Sequence, residues 1–143
     1  MLHKVIIICI ATVIPAIANA WADDPASDGS LKQVMQRLDQ DYSSLNHAIL
    51  VKNFDAAERS AHAIAYHEKP SLGQRMKILR KLGSEMSAFK NADEKVHRLA
   101  IKVEEAAKAK DMSLLIRYQS QMLSTCMGCH TSYRNEIVNS LDN

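Results

Sequence analysis

From Leu31 to Ile49 the apolar residues fall at Leu31, Met35, Leu38, Tyr42, Leu45 and Ile49, in alternating steps of four and three. That spacing lays one apolar stripe along a helix and leaves Lys32, Gln36, Arg37, Asp39 and Asp41 for water. A helix of this kind must bury its stripe against other helices. The spacing predicts a first helix over about 30–51, with Asp28 or Ser30 as its cap.

The pattern continues along the chain. Asn53-Phe54-Asp55 breaks the stripe and supplies cap chemistry, and Ala57, Ala61, Ile64 and Ala65 then mark the face of a second helix. It is expected to stop near Glu68, because Pro70 disfavours helix at the residue before it. From Ser71 to Leu82 helical spacing persists in Leu72, Met76 and Leu79, with a strongly basic character from Arg75, Lys77, Arg80 and Lys81, until Gly83 ends it. A third helix is expected from Ser84 to about Lys110, with Met86, Phe89, Ala92, Val96, Leu99, Val103 and Ala106 inward. Asp111 then caps a last helix that presents Leu115, Tyr118, Met122, Cys126, Cys129, Tyr133 and Ile137 on one face. Only four glycines and three prolines interrupt the whole chain. The fold class is therefore all-α: an up-down-up-down antiparallel four-helix bundle, with its longest link between the second and third helices.

The first residues read differently. One early lysine, an apolar run from Val5 to Ile17 and a small-x-small site at Ala18-Asn19-Ala20 describe a secretory signal over 1–20. Residues 21–29 read as a flexible leader, 30–138 as the bundle domain and 139–143 as a C-terminal tail. The expected compartment is the periplasm, with no membrane anchor in the mature chain. Eighteen basic residues against 16 acidic ones leave no basic face suited to nucleic acid.

Of the three cysteines, Cys9 leaves with the signal segment. The other two lie in Cys126-Met127-Gly128-Cys129-His130, where each sulfur can add to one haem vinyl group while the adjacent imidazole reaches the iron. A disulfide between residues three apart restricts an unfolded chain little. A redox dithiol normally follows a strand, and zinc needs a second pair of ligands. Covalent haem c, one per chain and near the C-terminus of the last helix, suits the motif best, and export agrees with it.

With Tyr133-Arg134 following, this segment resembles the cytochrome c-prime group of exported four-helix cytochromes, more closely their low-spin, six-coordinate His/Met members. The resemblance implies that Cys126 and Cys129 hold haem by thioether bonds and that His130 is the proximal iron ligand. In an up-down-up-down bundle the start of the first helix is level with the end of the last, so Met35 comes opposite His130 and is the expected sixth ligand. The run from Leu31 to Leu38 is similar to the corresponding turn of those members. Met86, His62 and His67 are the competing ligands, and Met122 is expected beside the ring. Arg134 is a candidate partner for a haem propionate, with Lys32 a weaker one, and Tyr133 is expected to pack near the haem. The chain departs from the group at Leu31-Lys32, where Arg-Gln is common, and at Ser84-Glu85-Met86-Ser87, where a Pro-x-x-Trp start is common.

The function expected is one-electron carriage between redox partner proteins, without enzyme activity. The alternative is a five-coordinate protein that binds nitric oxide or carbon monoxide beside an apolar Met35. The basic stretch from Arg75 to Lys81 reads as a solvated face, with docking of an acidic redox partner as its other use. Ala56, Ala57 and Ala61 suit helix packing within one chain or across a homodimer.

Overall fold

The computed structural model describes residues 29–141; the expected signal segment and residues 21–28 of the leader lie outside the described residues. It contains five α-helices: α1 (Leu31–Leu50), α2 (Phe54–Ala65), α3 (Leu72–Leu82), α4 (Met86–Lys108) and α5 (Met112–Leu141). A 3-10 turn at Gly83–Glu85 joins α3 to α4. Helices α1, α2, α4 and α5 form the antiparallel bundle, and α3, the basic stretch, packs against α5 near its end. Because α5 runs on to Leu141, residues 139–141 are helix rather than tail.

Side chains close the helix ends. Ser30 Oγ accepts from the Gln33 N–H at 3.2 Å, Asn53 Oδ1 from Ala56 at 3.0 Å and Asp111 Oδ1 from Leu114 at 3.0 Å. Each satisfies one of the backbone donors that a helix start leaves unpaired. The α1–α2 and α4–α5 turns use one device twice. A lysine takes the left-handed conformation, Lys52 at φ 56° and Lys110 at φ 55°. The next residue then returns its N–H to the helix just ended, Asn53 to Ala48 O and Asp111 to Ala106 O, both at 2.9 Å. That same residue caps the following helix, so a single Asn or Asp ends one helix and starts the next.

The core is built of small and medium residues. Leu45, Ala48, Ala57, Ala61, Ile64, Leu99, Ala100, Val103, Leu115 and Met122 are buried together from all four bundle helices. Ala57 and Ala61 are spent inside this chain, letting α2 lie close to α1 and α4. Between α2 and α4 the ties run antiparallel: His62 meets Glu104 at 3.3 Å, and His97 reaches Ala65 O at 2.6 Å. The second of these explains why α2 ends at Ala65, three residues short of Glu68. The Ala65 carbonyl is taken by the His97 ring, and His67 leaves the helix to stack on that ring at 4.6 Å.

Two inward faces also differ from the expected ones. On α1 Val34 is buried, at 6% exposure, while Met35 stands at the edge with 37%. On α3 Ile78 and Leu82 face inward, and Leu72, Met76 and Leu79 are exposed among the basic residues. Ile78 and Leu82 form a second cluster with Ile137 of α5, joined by Leu31, Met86, Phe89, Tyr133 and Leu141.

Glycine reaches positive φ without the clash that a Cβ meets there. Lys52→Gly and Lys110→Gly are each expected to stabilise the fold by roughly 0.5–1 kcal/mol, additively in the double variant, as read by thermal melts of the helical circular dichroism signal. A lowered midpoint would reject the strained-hinge account. Glu104 is buried, and its hydrogen bond from Lys108 holds its carboxyl below the ordinary 4.5, helped by His62 and opposed by burial. Its stabilisation is therefore complete above pH 4.5 and is lost as pH falls through the lower folded value. Glu104→Gln is expected to cost about 1 kcal/mol at pH 7 and to flatten the stability profile below pH 4.5, measured by urea unfolding.

Candidate functional site

The cysteine motif lies inside α5. Cys126 packs at the margin of the main core and Cys129 is half-buried one turn on; their thiols are not joined. Nothing lies within 4 Å of where a side chain on Gly128 would begin, so there is open space beside the motif. Burial pushes both thiols up from their ordinary value, and at Cys129 the Asp93 carboxylate on α4 adds to the effect. A dithiol oxidoreductase needs the reverse, a thiol made more acidic by its surroundings.

The motif looks onto a seam between α1 and α5. The closest helix pairs are α4 with α5, α2 with α4 and α1 with α2, whereas α1 and α5 do not pack closely. They are pinned at two levels. At one, the Gln119 side-chain amide donates to Tyr42 Oη and, at 2.8 Å, to Asn46 Oδ1. At the other, Leu31 joins the cluster of Tyr133, Ile137 and Leu141. Cys126, Cys129 and His130 all fall between the pins.

Helix geometry then gives the relation of Met35 to the motif. Nine residues before the midpoint of Tyr42 and Asn46 is Met35; nine residues after Gln119 is Gly128, one turn or less from every motif residue. Direction agrees with level. Eleven residues turn an α-helix by three circuits plus about 20°, so His130 points nearly the way Gln119 does, toward α1. Seven residues turn it by two circuits less about 20°, so Met35 points nearly the way Tyr42 does, toward α5. By this helix geometry Met35 and His130 fall on the facing sides of α1 and α5, and both are at exposed edges rather than in the core.

The other candidates are placed as follows. Tyr133 is half-buried and meets Phe89 edge-on, with ring centroids 5.5 Å apart. Arg134 and Lys32 are exposed, Arg134 one turn beyond His130 and Lys32 the residue next to Leu31. Met122 is fully buried in the main core, one turn before Cys126. Of the competing ligands, Met86 is committed to the second cluster, His62 to Glu104 and His67 to its stack on His97. Two neighbours were missing from the sequence reading. Tyr42 is close enough to feel the charge of Cys126, and Asp93 that of Cys129. Asp93 lies one turn after Phe89 on α4, a spacing that points to the inward edge.

This donor set fits a covalently held haem: two unjoined thiols one turn apart, an imidazole at the next position, and an open seam before them. Cys126 and Cys129 could hold the group and His130 could reach its iron, which would supply one-electron redox chemistry or a ligand-binding position.

No curated protein and no solved structure matches the chain significantly. The family model described as Cytochrome C' matches residues 26–134, from before α1 to the arginine after the haem motif. Family members carry covalently bound c-type haem and are generally exported, and among the described residues no helix is long and apolar enough to cross a membrane. The match takes in α1 to α4, and α5 as far as Arg134 with the whole haem motif, so the chain is a c-type cytochrome of four-helix-bundle form and belongs to the Cytochrome C' family.

Proposed function

We propose that the protein is a periplasmic monohaem cytochrome that carries one electron between redox partner proteins, its haem held by Cys126 and Cys129 and its iron bound by His130 and Met35. The observation that supports this reading is the Gln119 bridge to Tyr42 and Asn46, from which helix geometry puts Met35 and His130 at one level on the facing sides of α1 and α5. A thioether opposite an imidazole raises the reduction potential of haem iron and suits electron transfer. Met35 is free for that task because Val34, not Met35, fills the core position of its turn. The chain's own part is ligation, orientation by the pinned seam and exclusion of water by the buried cluster behind it, with no substrate chemistry. Export follows from the signal-like residues 1–20 and agrees with covalent haem attachment.

One observation favours a second reading. Val34 and Leu38 give α1 an apolar edge beside the seam, which would line a pocket for nitric oxide or carbon monoxide if Met35 stayed at the rim.

The ferric protein is expected to show a low-spin spectrum with a methionine-to-iron charge-transfer band. Met35→Ala is expected to abolish that band and convert the iron to high spin, with helix content and thermal midpoint nearly unchanged because the side chain is already 37% exposed. A high-spin ferric spectrum in the unaltered protein, with rapid carbon monoxide binding to the ferrous form, would replace this reading with the gas-binding one.

A further inference from the structure

Near the haem motif, where α4 meets the chain after α2, three side chains converge that electron carriage does not use. One nitrogen from each of the His67 and His97 rings and a carboxylate oxygen of Asp93 all lie within 4.8 Å of one another. Asp93 and His97 are one turn apart on α4, and His67 comes from the chain just after α2, so two separate elements build the cluster.

The hydrogen bonds place a proton on Nδ1 of both rings. His97 Nδ1 lies 2.6 Å from Ala65 O, and His67 Nδ1 lies 2.8 Å from Glu68 O. A carbonyl oxygen only accepts, so each Nδ1 must carry its proton and donate it. In the neutral ring that leaves Nε2 with a bare lone pair. For His97 that Nε2 lies 3.5 Å from Asp93 Oδ2, a contact that either a proton on Nε2 or a metal cation can bridge. A metal ion taking the place of that proton is coordinated by both atoms.

A backbone carbonyl holding one ring nitrogen so that the other is presented is the support that metal-bound histidines usually have. Here His97 has it, its Nε2 turned to Asp93, and His67 has its Nδ1 held by the Glu68 carbonyl. The stack of the two rings, with centroids 4.6 Å apart and planes 19° from parallel, further limits how each can turn. Two imidazoles and one carboxylate suit a divalent late transition ion such as zinc, with water in the fourth position. Tetrahedral zinc would draw its ligand atoms to about 3.3 Å apart, a contraction that the half-exposed Asp93 side chain can supply by rotation.

We propose that His67, Asp93 and His97 form a binding site for a divalent late transition-metal ion, separate from the haem iron. The site stands whichever way the iron is ligated, since it uses none of the motif residues and not Met35.

Zinc is the probe of choice, because it is redox-silent and leaves the haem oxidation state alone. Equilibrium dialysis and calorimetry of the haem-loaded protein against zinc chloride are expected to show one tight site per chain with an unchanged visible spectrum. Asp93→Asn and His97→Ala should each weaken that site at least tenfold, while His62→Ala, at the neighbouring pair with Glu104, should leave it intact. Circular dichroism checks that the His97 variant folds, and Asp93→Asn, at a half-exposed position, serves if it does not. Absence of a stoichiometric site would overturn the proposal and assign the His97–Asp93 contact to a shared proton. A site that survives both substitutions would overturn it too, as would a haem spectrum altered by His67→Ala, which would make that histidine an iron ligand.

Discussion

The Gln119 carboxamide donates both of its N–H bonds across the bundle, one to Tyr42 and one to Asn46, and so ties the last helix to the first. Both acceptors lie on one face of α1, and a carboxamide has two donors at a fixed angle, so the contact sets register and rotation together. The register of the α1–α5 seam follows from it. Close apolar packing joins the other neighbouring helices, but here the backbones stay apart and a polar bridge substitutes for a packed ridge. A bundle held this way has three closed sides and one that can accept a flat group without losing core contacts.

The closed sides owe their firmness to short-range devices. The two left-handed lysines give each helical hairpin its turn at a local cost, and the Asn or Asp that follows recovers part of it by serving two helices. Between α2 and α4, where no short loop enforces pairing, buried Glu104 gathers Lys108 and His62 around it. A carboxylate removed from water demands partners, so the interface it lies in has little freedom to slide. Alanines on α2 bring the helices near enough for these contacts to form.

Much of this was legible in the residues because local chemistry decided it. Ser30, Asn53 and Asp111 cap where side chains that bond their own backbone are expected to, and the last helix turns Leu115, Met122 and Ile137 inward as its spacing says. What was not legible depended on a distant partner. Apolar residues lie on two sides of α3, so Leu72, Met76 and Leu79 fit a helical stripe as well as Ile78 and Leu82 do; α5, with Ile137, chose the second. Val34 and Met35 present the same ambiguity on α1, one position apart. The end of α2 was set by His97, 32 residues further on, taking the Ala65 carbonyl. Pro70 limited the helix only from outside.

The same ambiguity at Val34 and Met35 is what lets the site be built without unsettling the fold. A methionine that filled the core would have to leave it to reach an iron, opening a cavity worth several kcal/mol. With Val34 in the core, Met35 is left at the edge beside the seam, flexible and polarizable, and its thioether can move by a rotamer change alone. His130 is arranged likewise: its neighbour Cys129 takes the half-buried position and the imidazole stands at the flank, free to turn. Adjacent residues thus divide the work, the buried one holding the helix and the exposed one serving the seam. On the proposed His130 and Met35 ligation, substitutions at 35 and 130 would change the chemistry of the site far more than the stability of the bundle, whereas a substitution at the buried Val34 would act on stability.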